Sequence, residues 1–71
     1  MYKKRIKKIL VKIKFRRLKL GYTQSFMADK LNIGQNTYSK LEQNKITLTA
    51  CRFALICDIL EVNPDEILNP K

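Results

Sequence analysis

Residues 30–42 read KLNIGQNTYSKLE, and this stretch decides how the chain is divided into helices. Asn32 and Gly34 interrupt an otherwise helical pattern in its middle. Asn tolerates the left-handed conformation that ends many helices, and Gly is acceptable as an N-cap. We therefore predict a junction between two short helices, residues 24–31 and about 35–43, and not one damaged helix.

Capping signals on either side of this junction predict three more helices. A first helix runs from Tyr2 to Leu20 and stops at Gly21, a residue suited to the position after a helix. Thr23 caps the second helix, and Thr47 or Thr49 caps a fourth that runs to about Leu60. Asn63-Pro64-Asp65-Glu66 starts a fifth, with Asn as N-cap, Pro at the first position and Glu reaching back as a capping box. Asn44, like Asn32, suits a left-handed residue at the end of a helix.

Apolar residues that recur every three to four positions predict the buried faces. The residues expected to point inward are Ile6, Ile9, Leu10, Ile13 and Leu20, Met27, Ala28 and Leu31, Ile33, Tyr38 and Leu41, Ala50, Phe53, Ala54, Cys57 and Leu60, and Ile67 and Leu68, with Tyr2 at the edge of the first stripe. Cys51 and Cys57 lie six positions apart on one helix, about 9 Å along its axis, which is beyond disulfide reach. Both are expected to be small core residues. The chain therefore predicts one all-α domain.

The first helix breaks this pattern in two ways. Arg17 falls in the middle of its apolar stripe, and a charge on a core face is costly unless it is paired. Arg17 therefore predicts a carboxylate brought to it by the fold. A second, smaller apolar stripe, formed by Val11, Phe15 and Leu18, lies on the other side of the helix.

Charge and composition limit the class of function. The net charge is +9 in 71 residues, and residues 1–20 hold ten basic and no acidic side chains. A field so one-sided favours a polyanion, nucleic acid first and an anionic membrane surface second. There is no histidine, no nucleophile–base pair and no Gly-rich phosphate loop, so we expect no enzyme, no metal and no cofactor. No apolar run is long enough to span a membrane, and a cleaved signal peptide is not expected.

The third helix carries the most informative polar residues. Gln35, Asn36, Ser39, Lys40 and Gln43 point away from its inward face. Gln and Asn bond in bidentate fashion to adenine, and Lys donates to guanine O6 and N7, so these residue types suit the reading of a DNA major groove. Gln24 at the start of the second helix is suited to clamp a phosphate, and Lys45, Gln43 and Asn44 are placed to contact neighbouring phosphates.

The sequence from about Ile9 to Leu68 resembles the XRE family, the lambda repressor/Cro-like helix-turn-helix domains of phages and bacteria. The matching residues are Arg17, Gly21-Tyr22-Thr23-Gln24, Met27-Ala28, Leu31-Asn32-Ile33, Tyr38, Leu41-Glu42, Lys45, Leu60-Glu61-Val62-Asn63 and Asp65-Glu66-Ile67. The resemblance implies a compact five-helix lambda repressor-like domain in which helices 2 and 3 form the helix-turn-helix. Residues 9–69 would form this domain, and residues 1–8 a basic extension of helix 1.

The resemblance also implies roles for particular residues. Arg17 would form a semi-buried ion pair with Glu42, and Gln24 would brace Gln35. The base-contacting residues would be Gln35, Asn36, Ser39 and Lys40, and the phosphate-contacting residues Gln24, Thr37, Gln43, Asn44 and Lys45. Phe26 stands where the family usually carries a polar residue. With Val11, Phe15 and Leu18 it forms apolar surface that is either a dimer or partner interface or is packed against the fifth helix.

We therefore expect a cytoplasmic, nucleoid-associated, bacterial or phage-encoded transcriptional regulator, more specifically a repressor. It would bind double-stranded DNA at a near-palindromic operator, as a homodimer at least on DNA. One alternative is an antitoxin-like or accessory DNA-binding protein that acts mainly through a protein partner bound by Val11, Phe15, Leu18 and Phe26. The other is a basic membrane-surface protein, which fits less well because Arg17 interrupts the apolar face of helix 1.

Overall fold

This computed structural model describes residues 2–68, with side chains from residue 5 onward. All the regular structure in that part of the chain is helical and falls into five segments. They are α1 (Tyr2–Lys19), α2 (Gln24–Leu31), α3 (Gln35–Glu42), α4 (Ala50–Ile59) and α5 (Pro64–Leu68). The predicted all-α, five-helix fold is confirmed, and the predicted helix ends are met to within about one residue, the usual uncertainty of such boundaries.

The first four helices end in the same way, with one left-handed residue followed by a reversal of the chain. These residues are Gly21, Asn32, Asn44 and Glu61, with φ of 78°, 58°, 59° and 55°. In each case the next amide donates to a carbonyl five positions back, as in Ile33 N–H to Ala28 at 2.9 Å and Lys45 N–H to Lys40 at 2.8 Å. These bonds satisfy carbonyls that the helix itself leaves free. The predicted turns at Asn32 and Asn44 are therefore present.

Glu61 is a left-handed residue that its residue type did not signal, because Glu has no special tolerance for positive φ. A contact from α1 stabilises the turn that contains this residue. The guanidinium of Arg16 donates from Nε to the Leu60 carbonyl at 3.0 Å and from Nη2 to the Glu61 carbonyl at 3.1 Å. A cation at the carbonyl end of α4 is favourable, so Arg16 ties α1 to this helix end.

The N-caps follow the sequence signals. Thr23 Oγ1 accepts a hydrogen bond from Phe26 N–H at 3.0 Å, and Thr49 Oγ1 accepts one from Arg52 N–H at 3.2 Å. Thr49, and not Thr47, is thus the cap of α4. At α5, Asn63 Oδ1 accepts from Asp65 N–H at 3.0 Å while Glu66 Oε2 accepts from Asn63 N–H at 3.3 Å. This is the predicted capping box.

Among the residues whose side chains are described, the buried core is apolar with one exception. It consists of Leu10, Ile13, Met27, Ala28, Leu31, Tyr38, Leu41, Ile56, Cys57, Leu60 and Ile67, and the exception is Arg17. The predicted inward stripe of α1 is confirmed, with Ile6, Ile9 and Leu20 packed at its edges; Tyr2, also predicted there, has no described side chain. α1 runs without a break from the predicted basic extension into the predicted domain, whose boundary lies between residues 8 and 9. Ile6, on the extension side of this boundary, packs against the core.

The predicted inward face of α4 is partly wrong. Ala50 and Ala54 are exposed, and Ile56, which was not predicted, is buried at 1% exposure. Compared with the predicted orientation, α4 is rotated about its axis so that the large aliphatic side chain of Ile56 is buried and the small side chain of Ala54 is exposed. Burying Ile56 removes more apolar surface from water than burying Ala54 would, and the rotation keeps Cys57 and Leu60 inside.

Two further core predictions are wrong. Cys51 is exposed, whereas Cys57 is buried, and neither forms a disulfide. Burial raises the pKa of the Cys57 thiol, with the neighbouring Asp58 carboxylate adding to the effect. Leu68 is 55% exposed because the short α5 turns only one aliphatic side chain, Ile67, into the core.

The second apolar stripe of α1 is solvent-exposed. Val11, Phe15 and Leu18 are 50%, 67% and 54% exposed, so α5 does not cover them and that alternative is wrong. Phe26 differs from these three. Its ring packs on Tyr22 with the centroids 4.3 Å apart, and the Lys30 ammonium lies 5.4 Å from its centroid. No helix within residues 2–68 is both long enough and apolar enough to cross a membrane.

Candidate nucleic-acid interface

α3 has one side inside the protein and one side outside. Tyr38 and Leu41 are 0% and 1% exposed and anchor the helix in the core. The polar residues predicted to contact bases lie on the other side, where Gln35, Asn36 and Lys40 are exposed and Ser39 is half-buried. The first turn of α3 therefore presents two amide side chains to solvent next to the helix N-terminus.

The turn between α2 and α3 sets the direction of this surface. Asn32 reverses the chain, and Gly34 caps α3 in an extended conformation with φ −73° and ψ 153°. Thr37, in the first turn of α3, is half-buried. Two short helices joined by a three-residue turn form the helix-turn-helix arrangement.

The Glu42 carboxylate at the end of α3 is the centre of a hydrogen-bond network. Arg17 donates from Nε to Oε2 at 2.7 Å and from Nη2 to Oε1 at 3.2 Å. Tyr38 donates its hydroxyl proton to Oε2 at 2.6 Å, and Gln24 donates from Nε2 to Oε1 at 3.3 Å. The Arg17 and Glu42 side chains are only 7% and 5% exposed. The ion pair implied by the resemblance is thus present, and it joins α1, α2 and α3 at one point.

Arg17 has a further role within this network. Its Nη1 donates to the Tyr22 carbonyl at 2.9 Å, which holds the loop between α1 and α2. Every buried polar side-chain atom among the described residues has a hydrogen-bond partner. Pairing and full hydrogen bonding offset the desolvation cost of a buried charge, so the network can hold the orientation of α3.

Gln24 does not take the role predicted for it in bracing the recognition surface. Its amide donates to Glu42 and not to Gln35. The physical reason is charge, because a hydrogen bond to a carboxylate is about twice as strong as one to a neutral amide. Gln24 is half-buried and is the first residue of α2.

The residues at the end of α3 lie on the surface. Gln43 donates from Nε2 to Ser39 Oγ at 2.8 Å. A residue predicted to contact phosphate is thus hydrogen-bonded to one predicted to contact a base. Asn44 and Lys45 follow in the left-handed turn, and both are exposed. Asn44 and Lys45 also line a groove of about 640 Å³ together with Ile6 and Ile9, so this part of α1 lies beside the loop.

The hydroxyl of Tyr38 was missed by the sequence reasoning, which placed Tyr38 in the core as an apolar residue only. The available signal was the choice of tyrosine, whose hydroxyl requires a partner when buried. Burial, and then the hydrogen bond to Glu42, raises the pKa of Tyr38 far above its ordinary value. The hydroxyl is therefore protonated and donates to Glu42 throughout the ordinary pH range.

A stability prediction follows from this pKa. The unfolded chain loses the Tyr38 proton near pH 10.0, while the folded protein retains it. The stability that the Tyr38 hydroxyl contributes through its retained proton is fully present below that pH and is lost as pH rises above it. We expect the urea midpoint of the wild type to fall more steeply above about pH 10 than that of Tyr38→Phe. At neutral pH the variant should lose about 1.5–3 kcal/mol, the range for hydrogen bonds to charged groups.

The control for this prediction is Tyr22→Phe, which removes a hydroxyl that does not bond to Glu42 and leaves the Tyr22 carbonyl in place as the acceptor of Arg17. Its alkaline stability profile should run parallel to that of the wild type. Parallel profiles for wild type and Tyr38→Phe would contradict the prediction.

The described residues contain no group of three or more Asp, Glu, Cys or His side chains that is placed to hold a metal ion. The chemistry of the site comes instead from amides, a hydroxyl, lysines and a helix N-terminus. These groups donate hydrogen bonds to base edges and phosphate oxygens. The fold and this surface define a helix-turn-helix protein.

Comparison with known protein families supports the same class of protein. Residues 13–67 match the family model described as Helix-turn-helix, which represents the XRE/lambda repressor-like family. The match covers most of the chain, and the protein belongs to this family. It is a DNA-binding helix-turn-helix regulator. Searches of the curated proteins and of the solved structures found no match.

Proposed function

We propose that this regulator is a sequence-specific transcriptional repressor that places α3 in the major groove of double-stranded DNA. The observation that carries the proposal is the Glu42 network. It holds α3 against α1 and α2 through nearly buried, charge-assisted hydrogen bonds, while the polar side of the same helix faces solvent. A recognition surface needs such support because a loosely held side chain loses much of its discrimination.

Four residues of α3 read the bases in this proposal. Gln35 and Asn36, exposed on the first turn, have side-chain amides that pair with the N6 and N7 edge of adenine. Lys40, one turn further on, donates to guanine O6 and N7. Ser39 accepts from Gln43, and its hydroxyl proton remains to donate to a base edge.

The phosphate contacts surround this helix. The proposed residues are Gln24, Thr37, Gln43, Asn44 and Lys45, which lie at the start of α2, within α3 and in the turn after it. The N-terminus of α2 adds backbone N–H groups and the positive end of its dipole. Ile6 of α1 lines the same groove as Asn44 and Lys45, and the positive charge of residues 1–8 adds to the attraction of the DNA backbone.

The regulator acts as a homodimer on a near-palindromic operator, because a two-fold protein reads two inverted half-sites with identical helices. Occupancy of an operator that overlaps a promoter excludes the polymerase, which makes the protein a repressor. It works where the chromosome is, in the cytoplasm of a bacterium and associated with the nucleoid.

Selection of bound duplexes from a random pool tests the proposal. We expect two inverted half-sites centred about 10–10.5 base pairs apart, one turn of B-DNA. A reporter promoter that carries the selected operator should lose expression when the protein is supplied. A pool that remains random after selection would refute sequence-specific recognition, and increased reporter expression would refute repression.

A second candidate function is that of an antitoxin-like or accessory DNA-binding protein. The observation that favours it is the exposed apolar stripe of α1, because three large apolar side chains in a row are unusual on a surface that binds only DNA. The surface predicted for this partner also included Phe26. The Phe26 ring packs on Tyr22 and is less available for such a contact than the three residues of α1.

A further inference from the structure

The outward face of α1 carries an apolar seam that the DNA-binding proposal does not use. We define the α1 seam as Val11, Phe15 and Leu18, whose exposed fractions are 50%, 67% and 54%. Their spacing of four and three positions places them in one row along the helix surface. The row runs over seven residue steps from Val11 to Leu18, about 10 Å of helix at 1.5 Å per residue. The opposite side of the same helix is the buried stripe that contains Leu10 and Ile13.

Lysines border this seam on both sides. At 100° per residue, Lys7 and Lys14 lie along one edge of the seam and Lys8 and Lys19 along the other. All four are exposed, and the first 20 residues contain no acidic side chain. The seam is therefore a narrow apolar strip within a positively charged border.

Charge excludes a second copy of the chain as the natural occupant. A symmetric contact through α1 would bring the two lysine borders together, and like charges placed opposite each other destabilise a pair of helices. The net charge of +9 on each copy adds to this repulsion. The homodimer proposed above must then use a different surface.

The width of the seam excludes a membrane surface. A helix that lies in a bilayer interface inserts a broad apolar face. The broad apolar face of α1 is already buried in the core, and among the described side chains of this helix one row of large apolar residues remains exposed. Such a row has the dimensions of a helix–helix contact, in which apolar residues at spacings of three and four meet the same spacing on a partner.

We infer that the α1 seam binds an acidic amphipathic helix of a partner protein. The partner's apolar row would cover Val11, Phe15 and Leu18, and its Asp and Glu side chains would face the lysine borders. This inference does not depend on the reading of bases by α3, since the seam and the recognition surface lie on different helices.

The test uses the full chain and a synthetic helical peptide of three heptads, with leucines in one row and glutamates beside them. Calorimetric titration is expected to give one-to-one binding. Phe15→Gln should weaken this binding about tenfold or more, because it removes a large apolar side chain from the contact without changing the charge. Leu55→Gln is the matched control, because Leu55 is 53% exposed on α4, and its affinity should stay within about twofold of wild type.

Each alternative has its own outcome. Equal binding by wild type and Phe15→Gln would overturn the inference, since the attraction would then be electrostatic only. Tighter binding to vesicles of phosphatidylglycerol than to the peptide would assign the seam to a membrane. Concentration-dependent dimerisation that Phe15→Gln abolishes, seen by light scattering, would assign it to a second copy. Circular dichroism verifies the folding of each variant, and Val11→Gln repeats the test at a second seam position.

Discussion

Arg17→Ala is expected to lower the free energy of unfolding by about 3–5 kcal/mol, the range for removing one partner of a buried ion pair. The Glu42 carboxylate is 5% exposed in the wild type, and the substitution removes the charged partner that it has among the described residues. It also removes the hydrogen bond to the Tyr22 carbonyl. A domain of this size has a total stability near the low end of about 5–15 kcal/mol, so a large fraction of the variant should be unfolded at 37 °C.

Glu42→Ala should have an effect of similar size, because it leaves the buried Arg17 guanidinium without its carboxylate partner on the core face of α1. Thermal and urea unfolding measure both variants. Lys14→Ala, which removes a cation from an exposed position of the same helix, is the matched control and should stay within about 0.5 kcal/mol of wild type. The double variant should lose less than the sum of the two single losses, since the two groups interact directly.

The result that would contradict this expectation is a neutral effect of both single substitutions. The network would then not be what holds α3, and the support for the recognition surface would have to come from the packing of the Tyr38 ring and Leu41 in the core. DNA binding by folded Arg17→Ala at low temperature adds a second measurement. Weaker discrimination there would link the ion pair to the placement of α3.

The second large effect is expected at the recognition surface. Gln35→Ala and Asn36→Ala should each reduce discrimination between the selected operator and mutated operators by about 1–3 kcal/mol at the affected base pair. Both residues are exposed, so their substitution should leave thermal stability nearly unchanged. The measurement is competitive binding to a set of duplexes that carry single base-pair changes, at one fixed salt concentration.

Lys45→Ala separates specificity from general affinity. Lys45 is exposed in the turn after α3, and we assign its ammonium to a phosphate. The variant should bind all duplexes more weakly by a similar factor, with a salt dependence reduced by about one phosphate contact. Loss of discrimination in Lys45→Ala, or uniform weakening in Gln35→Ala, would mean that the proposed assignment of base and phosphate contacts is wrong.

Several features of the site were predictable because their causes are local. The junction at Asn32 and Gly34 depends on the φ preferences of two residues. The caps at Thr23 and Asn63 depend on hydrogen bonds that cross only two or three positions. Arg17 on an apolar stripe predicted a buried partner from the periodicity of one helix, although the identity of that partner came from the resemblance to the family.

Other features depend on how the helices pack, which local rules do not encode. α4 turned toward Ile56 because the space left by the other helices accepts a larger side chain than Ala54. Gln24 turned to Glu42 because the fold brings a carboxylate within reach, 18 positions away in the chain. Glu61 tolerates its left-handed conformation in a turn where Arg16, 45 positions earlier, donates to its carbonyl.

The sequence by itself thus determined the number and order of the helices, the helix-turn-helix junction, the polar face of α3 and the concentration of positive charge in residues 1–20. These follow from backbone preferences, periodicity and composition, which act within a few residues. The tertiary structure alone decided the rotation of α4, the partner of Gln24, the hydroxyl bond of Tyr38 and the exposure of the α1 seam. Those outcomes depend on which surfaces meet, because burial and charge pairing are set by distances between residues far apart in the chain.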